Sequence, residues 1–252
     1  MAAVPATVLT DPYCPWSWAA EPQLRRLQVE FGASVAFTFV IVGLHRRIEA
    51  PDAGALALAT VDAADESGMP ADPRVFLRDP PASTHPAGLA VAAVAEQGDP
   101  GPFIRRLREA ILLERRPMDT APALLDAARE VGDLDLDRLR IDFGSNAIVE
   151  RFGADIERGR GVTTPALRFG DGEPVPPDRW HEAALAAGAE PAGDGRLGVE
   201  EALRLFGAMA TPEVAAVCDL PGPRAPAELW RLALEWRVRP RRVPGGELWT
   251  TG

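Results

Sequence analysis

The sequence predicts an α/β protein with a large helical insertion and a small, mostly helical unit at its C-terminal end. Three observations support this. The first 43 residues have strand, helix and strand patterns in that order, residues from about 50 to 160 have helical periodicity, and strand patterns return near residue 165. With 252 residues, 46% of them hydrophobic, the chain is long enough for a large domain and a smaller second one.

The first of these regions is a predicted β-α-β unit. Ala6–Thr10 is apolar and β-prone, and Asp11-Pro12-Tyr13 interrupts it. A helix begins near Cys14, because the proline that follows fits the first helical turn, and Gly32 ends it. Val35–Val42 is a buried strand by composition, and the intervening chain is long enough for a parallel crossover.

The middle of the chain is predicted to be a block of helices. Phe103, Leu107 and Ile111 recur at the spacing of one helix face. Ser145 is expected to cap the last helix of the block, whereas Asp72–Pro81 holds three prolines and is expected to be irregular. The predicted helices cover Ala53–Glu66, Ala87–Gln97 and the segments around 103–111, 122–128 and 148–156.

Strand patterns then close the first domain. Pro165–Gly170 is a predicted strand, Asp171-Gly172 a turn, and Pro174–Val175 a short second strand, before a helix at Pro177–Gly188. We therefore expect a domain at residues 1–188 with its helical insertion at about 50–160.

Residues 189–198 are rich in Gly, Ala and Pro and are predicted to be a linker to a C-terminal module at 199–252. The module is expected to contain three helices followed by a β-hairpin, which is the layout of a winged helix. Its helices are predicted at Val199–Phe206, from a Thr211 cap onward, and at Pro226–Arg237 with Leu229, Trp230, Ala233 and Trp236 on one side.

The charge pattern argues against a nucleic-acid partner. The net charge is −10, and all 27 basic residues are arginine. The module carries seven arginines and seven acidic residues, so the whole net charge lies in residues 1–198. The predicted wing carries a cluster of arginines, Arg237, Arg239, Arg241 and Arg242. One interpretation is that the wing contacts DNA. A packing or dimerisation role is favoured, because the preceding helix carries two acidic residues, which phosphates would repel.

We expect no membrane segment, no signal peptide and a cytoplasmic location. The longest apolar run, Val35–Leu44, is too short to span a bilayer, and Met1–Asp11 lacks a basic region followed by a long apolar one. Cytoplasmic thiols are usually reduced, and two cysteines separated by roughly two hundred residues are not a disulfide or zinc framework. We also predict no metal site, because the three histidines have no ligand spacing.

Cys14 is the candidate nucleophile. It lies in Cys14-Pro15-Trp16-Ser17, between a strand end and a helix start, where free backbone N–H groups and the helix dipole favour a thiolate. Ser17 lies one helical turn further on, and its hydroxyl is expected to hydrogen-bond the thiolate. Pro15 and Trp16 are predicted substrate contacts. Cys218 is instead expected to be a small core residue.

Thr164-Pro165, directly before the predicted strand, is the second candidate element. A cis proline there would place the Thr164 backbone beside the sulfur. The backbone would then be free to pair with an extended peptide or with glutathione. Thr164 and Pro165 are therefore predicted to bind substrate.

These motifs and this element order resemble the DsbA-like branch of the thioredoxin superfamily, and within it the FrnE-like proteins and the SpxH (YjbH) adaptors. Supporting strings are Asp11 to Trp16, Glu21-Pro22, Ser83 to Ala87 and Phe103–Glu114. The resemblance covers about residues 5–188. It implies a thioredoxin-like fold with a helical insertion, a kinking proline at Pro22 and a nucleophilic Cys14.

The sequence departs from the family at Ser17, where the resemblance implies a second cysteine. That cysteine normally releases the mixed disulfide, so dithiol cycling is in doubt. We predict a monothiol thiol–disulfide oxidoreductase whose mixed disulfide is resolved by an external thiol. A non-redox client-binding adaptor similar to SpxH is one alternative. A glutathione-dependent isomerase or transferase similar to 2-hydroxychromene-2-carboxylate isomerase, which carries serine at the nucleophile position, is the other.

The expected partners follow from these alternatives. No tightly bound cofactor is predicted; glutathione or another low-molecular-weight thiol is the expected co-substrate. The partner is a thiol or disulfide substrate or a client protein. The oligomeric state stays open, with a homodimer as one option.

Overall fold

Within the described residues, 2–193 and 196–252, the computed structural model of the protein contains two three-stranded sheets and thirteen α-helices. The predicted linker at 189–198 lies partly outside the described residues. The strands are β1 Val4–Thr10, β2 Val35–Ile41, β3 Ala166–Phe169, β4 Met209–Ala210, β5 Val238–Val243 and β6 Gly246–Thr251. The helices are α1 Pro15–Ala19, α2 Glu21–Phe31, α3 Ala50–Ser67, α4 Arg74–Arg78, α5 His85–Val94, α6 Gly101–Leu112, α7 Ala121–Val131, α8 Leu136–Asp142, α9 Asn146–Gly159, α10 Trp180–Ala186, α11 Val199–Phe206, α12 Thr211–Val217 and α13 Arg224–Leu234.

The first sheet has β1 at its centre. β1 pairs in parallel with β2, with Val4 opposite Val35 and Thr10 opposite Ile41, and pairs antiparallel with β3. One face of this sheet packs against α2 and α10 through a cluster that includes Val8, Leu24 and Trp180. The predicted β-α-β unit and the α/β fold class are confirmed.

The helical insertion has its own apolar core, and α6 is central to it. Phe103, Leu107 and Ile111, predicted to share one face, are all buried. Gly88 of α5 allows close contact with α9, because a Cβ there would lie 2.4 Å from the ring of Phe152. The insertion therefore packs tightly behind the first sheet and Cys14.

The helix predicted to run from Cys14 to Gly32 is divided into α1 and α2 at Ala20. Pro22, the expected kinking proline, has no N–H to donate to the carbonyl of Trp18, and its ring would clash with that carbonyl. The break separates α2 from the turn that carries Cys14. It leaves α1 as a short helix whose first turn follows Cys14 directly.

Two local predictions were wrong in the first domain. Arg74–Arg78 forms a short helix inside the segment expected to be irregular, because the prolines flank the helix rather than interrupt it. The expected strand at Pro174–Val175 is a single bridge between Val175 and Leu167, because the prolines around Val175 cannot donate to a longer ladder.

The C-terminal unit contains α11, β4, α12, α13 and the hairpin β5–β6, with strand order β4-β6-β5. Its core packs Leu203, Val214, Leu229 and Trp249 together. The three predicted helices and the hairpin are present, while the winged-helix assignment and the domain limits stay predictions.

Two details of this unit differ from expectation. Ala210, not Thr211, is the N-cap of α12, and the Glu213 carboxylate accepts the Ala210 N–H over 2.7 Å. The helix α13 ends at Leu234, so Trp236 lies outside it and is 81% exposed instead of packing beside Leu229.

Candidate functional site

The loop that carries Cys14 is fixed from both sides. Asp11 follows β1, and its buried carboxylate accepts backbone N–H groups from Tyr13 over 2.9 Å and from Leu44 over 3.1 Å. The buried hydroxyl of Tyr13 accepts the N–H of Met118 over 2.9 Å. Asp11 therefore attaches the loop to the segment that follows β2, and Tyr13 attaches it to the insertion.

Cys14 is the N-cap residue of α1, and three groups contact its sulfur. The Ser17 backbone N–H donates to Sγ over 3.4 Å, and the Thr164 hydroxyl donates over 3.3 Å. The thiol itself donates to the Thr164 carbonyl over 3.6 Å. The Thr164–Pro165 peptide bond is cis, and Cys14 is only 4% exposed. Donors at a helix start favour a negatively charged sulfur.

The Ser17 side chain does not make the contact predicted for it. Its hydroxyl is buried and has no hydrogen-bond partner within the described residues. Only the backbone N–H of Ser17 reaches Cys14. The Thr164 side chain, for which only a backbone role was expected, supplies the hydroxyl donor instead.

An open groove of about 1040 Å³ runs beside this site. Trp16, which is 36% exposed, lies on one wall, and Thr164 and Pro165 lie on the floor with β3. Cys14 is not among its lining residues. Three arginines, Arg158, Arg160 and Arg168, and three acids, Glu66, Glu173 and Asp178, also line the groove.

Trp18 does not belong to the groove. It is 1% exposed, its indole N–H donates to the Pro70 carbonyl over 2.8 Å, and the Arg105 guanidinium lies 4.3 Å from its ring centroid. Trp18 therefore anchors α1 to the insertion, whereas Trp16 lines the groove.

Burial raises the pKa of Asp11 to about 6, against the opposing effect of its hydrogen bonds from Tyr13 and Leu44 and of Arg108. Charging this carboxylate costs free energy because it has left water. Asp11 lies three residues before Cys14, and its carbonyl accepts the Cys14 N–H over 3.1 Å. Asp11 is thus linked to the Cys14 loop through the backbone.

A buried ion cluster lies behind the site. Glu21 of α2 is paired with Arg108, Arg25 and Arg105. Burial would raise the pKa of Glu21, but the three guanidinium groups outweigh it and hold that pKa below its usual value. The Glu21 carboxylate is therefore committed to this cluster.

The cluster also joins the two units of the chain. Glu213 of α12 is fully buried and contacts Arg25 over 3.1 Å and Arg105 over 2.8 Å. The Arg25 guanidinium in turn lies 5.0 Å from the centroid of Phe206 in α11. The C-terminal unit is therefore held against α2 and α6, the helices that support the Cys14 loop.

Neither Cys218 nor His85 contacts the Cys14 sulfur within the described residues. Cys218 is buried in the core of the C-terminal unit, and burial, with Glu201 nearby, raises the pKa of its thiol to about 11. His85 packs edge-on against Phe152, with 5.3 Å between ring centroids, and burial lowers its pKa.

Residues 2–193 and 196–252 contain neither a candidate metal site nor a helix that could span a membrane. Within that part of the chain, no group of three His, Cys, Asp or Glu side chains is placed to hold a metal ion. None of the helices described there is long and apolar enough to cross a membrane.

Comparison with known families agrees with the fold and the motif. A family model described as thioredoxin matches residues 8–164, from β1 through Thr164. The chain belongs to the thioredoxin family. Its fold is DsbA-like.

The similarity to an adapter protein extends beyond residues 8–164 of this thioredoxin-family chain. The ClpXP adapter protein SpxH of Halalkalibacterium halodurans is 27% identical over 266 residues, which cover 95% of this chain and 86% of the adapter. That match therefore includes the C-terminal unit.

Solved structures share the fold of about three quarters of the chain. The cytosolic disulfide reductase DsbM from Pseudomonas aeruginosa has a TM-score of 0.59 and 21% identity, covering 72% of this chain and 97% of its own. A 2-hydroxychromene-2-carboxylate isomerase has a TM-score of 0.51 and 17% identity, covering 73% and 94%. At these identities the likeness shows the fold alone.

Sequence reasoning missed the charged residues of the site. Arg158 and Arg160 directly precede the Thr164-Pro165 motif, and Arg168 follows it on β3, so their proximity was a usable signal. The pairing of Glu213 with Arg105 had no such signal, because 108 residues separate the two.

Proposed function

We propose that the protein is a cytoplasmic client-binding protein of the adapter type, which uses the groove beside Pro165 to hold a segment of another protein. The observation that carries this proposal is the buried contact of Glu213 with Arg25 and Arg105, which makes the C-terminal unit part of the support of the groove. The match to SpxH adapters over 95% of the chain supports a function that needs both units.

The groove has the features of a peptide site. Trp16 offers an exposed aromatic surface, and the Thr163–Pro165 segment, which leads into β3, lines the same groove. An extended peptide gains affinity from backbone hydrogen bonds and specificity from side-chain pockets. Arg168 favours a carboxylate on that peptide, whereas Arg158 and Arg160 are already paired with Asp155 and Glu157. The acids of the groove, Glu66, Glu173 and Asp178, favour a basic residue on the peptide.

The sulfur chemistry supports binding over redox cycling. Ser17 cannot form the disulfide that releases a bound substrate. Cys14 is 4% exposed, and its sulfur is engaged by Ser17 N–H and by Thr164. A client can bind in the groove without any reaction of Cys14 or Ser17.

Peptide selection tests the proposal. A displayed library of random dodecapeptides is selected on the intact protein, and each recovered peptide is measured by fluorescence anisotropy. We expect a class of peptides whose affinity falls at least tenfold in Trp16→Ala and in Arg168→Glu. The matched control is Leu58→Ser, an exposed position of α3 outside the groove. Failure to recover any peptide of this class would contradict the proposal.

Monothiol exchange at Cys14 is the second candidate, favoured by the position of its sulfur at the start of α1 beside Thr164. The Cys14 thiolate would attack a disulfide, forming a mixed disulfide and releasing the other half as a thiolate. An external thiol would then attack the mixed disulfide, restoring Cys14 and leaving as part of a new disulfide.

This candidate is tested separately with glutathione disulfide. Intact-mass measurement should detect a single glutathione adduct on the protein, and peptide mapping should place it on Cys14 rather than on Cys218. Added glutathione should remove the adduct and regenerate the thiol. Absence of an adduct, or an adduct on Cys218 alone, would reject exchange at this site.

A further inference from the structure

The C-terminal unit has an exposed apolar groove that its own fold leaves uncovered. It lies between α13 and β5, has a volume of about 480 Å³, and is separate from the groove beside Pro165. Leu234 is 82% exposed, Trp236 is 81% exposed and Trp230 is 47% exposed. The remaining lining residues are Ala233, Val238, Arg239 and Pro240.

The backbone conformation of Trp236 is unfavourable for a residue of its size. It follows the end of α13 with a φ of +60°, the left-handed conformation that a bulky residue adopts at a free-energy cost. Its N–H bonds to Ala233 and the next N–H to Leu232, which is the helix-ending arrangement that usually contains glycine at this position. An exposed tryptophan at a position that favours glycine does not contribute to stability.

The aromatic surface is also preorganised. Trp230 packs edge-to-face against the buried Trp249, with 5.1 Å between ring centroids, and so has a fixed orientation on the groove wall. Arg237, next to Trp236, is held by Glu200 and Glu235. Fixed tryptophans beside a groove are typical of residues that dominate binding energy in protein interfaces.

The charge around the groove is positive. The nearby acids Glu228 and Glu235 are both paired with Arg231. Arg239 and Arg241, exposed on β5, have no carboxylate within 4.0 Å in the part of the chain that the structure describes. A partner that brings carboxylates to β5 therefore meets unneutralised arginines.

The free edge of β5 excludes one mode of binding. Gly252 donates to the carbonyl of Arg237, so alternate residues from Arg237 onward bond to β6, and Val238, Pro240 and Arg242 direct their backbone groups outward. Pro240 has no N–H and interrupts that edge, which prevents regular strand addition. A partner must bind through its side chains.

We propose that the α13–β5 groove docks a protein segment that carries carboxylates beside large apolar side chains. The apolar side chains contact Trp236, Leu234 and Trp230, and the carboxylates contact Arg239 and Arg241. This surface lies on the C-terminal unit and is additional to the groove beside Pro165.

The same selected peptides test this inference, because the two grooves give different mutational signatures. We expect a second peptide class, rich in acidic and large apolar residues, whose affinity falls at least tenfold in Trp236→Gly and in the double variant Arg239→Glu/Arg241→Glu. The affinity of this class should change less than twofold in Trp16→Ala. Trp236→Gly relieves the left-handed backbone, so its urea unfolding midpoint should equal or exceed that of the unchanged protein.

Several results would overturn the inference. The inference is contradicted if no selected peptide loses affinity in Trp236→Gly, or if the peptides that do are basic or uncharged. If instead only the Trp16-dependent peptides fail to appear, the proposed function is rejected and the inference about the α13–β5 groove still holds. A dimer in sedimentation velocity that dissociates in Trp236→Gly would assign the groove to a second copy. Competition of peptide binding by duplex DNA would assign it to nucleic acid.

Discussion

The hydroxyl of Thr164 donates a hydrogen bond to the sulfur of Cys14 over 3.3 Å, although 150 residues separate the two in the chain. Thr164 also accepts the thiol hydrogen through its backbone carbonyl. One residue thus contacts both the donor and the acceptor side of the thiol. The serine expected to do so, Ser17, contacts the sulfur only through its backbone N–H.

This arrangement predicts that Thr164, not Ser17, controls the reactivity of Cys14. Thr164→Val keeps the side-chain shape but removes the hydroxyl that stabilises the charged sulfur. Alkylation of Cys14 by iodoacetamide at neutral pH should slow by about fivefold, from roughly 1 kcal/mol for one hydrogen bond. Ser17→Ala, which removes a hydroxyl with no partner, should leave the rate unchanged. The reverse order of effects would show that Ser17 is the donor.

The Glu213 cluster predicts a large stability effect. Glu213→Gln leaves Arg25 and Arg105 buried without their shared carboxylate, and breaking a buried pair costs about 3–5 kcal/mol. Urea unfolding should detect this loss. The matched control is Glu130→Gln at a partly exposed pair with Arg106, which should cost less than about 1 kcal/mol. Equal costs would mean that Glu213 does not hold the units together.

Asp11 predicts a pH effect of opposite sign to that of a paired carboxylate. Its pKa in the folded protein, about 6, exceeds the ordinary value of 3.8, so the folded state binds more protons between these values. Stability contributed by Asp11 is therefore lost as the pH rises from about 4 to about 6. The shift corresponds to roughly 3 kcal/mol at most.

The measurement is the urea unfolding free energy of the unchanged protein minus that of Asp11→Asn, across roughly pH 4 to 8. The difference should fall as the pH rises and become constant above about pH 7. Taking the difference removes the opposite contributions of Glu21 and Asp72, whose pKa values are lowered. A difference that rises with pH would show that Asp11 is stabilised as a carboxylate.

The contact of α5 with α9 predicts opposite effects for two glycines. Gly88→Ala would place a Cβ 2.4 Å from the ring of Phe152, which must move, at a cost of about 1–3 kcal/mol. Gly153→Ala, in α9 with open space around it, should stabilise the helix by about 0.5–1 kcal/mol. Thermal unfolding of the two variants distinguishes them, and a neutral Gly88→Ala would contradict the tight packing.

Local motifs explain why so much of the fold was predictable. Cys14-Pro15 places a helix start after β1, and Thr164-Pro165 precedes β3, because proline constrains the backbone within a few residues. Long-range relations left no comparable local pattern. The pairing of Glu213 with Arg105 depends on how two distant units pack, and the short helix α8 lies among alternating acidic and apolar residues without helical periodicity.

The exposed position of Trp236 shows the same limit. Its spacing from Leu229 and Trp230 fits a helix face, but the helix ends at Leu234 and Trp236 adopts a φ of +60°. A sequence pattern cannot fix the residue at which a helix ends when no glycine or proline marks it. The same residue is consequently a surface feature rather than part of the core.

The central claim is that the protein binds a client without using Cys14 as a nucleophile. The most direct measurement is the affinity of the Trp16-dependent peptides for Cys14→Ala, by fluorescence anisotropy under reducing conditions. We expect the affinity to change less than twofold in Cys14→Ala and to fall at least tenfold in Trp16→Ala in the same assay. Loss of binding in Cys14→Ala, together with recovery of mixed disulfides from the unchanged protein under non-reducing conditions, would contradict it.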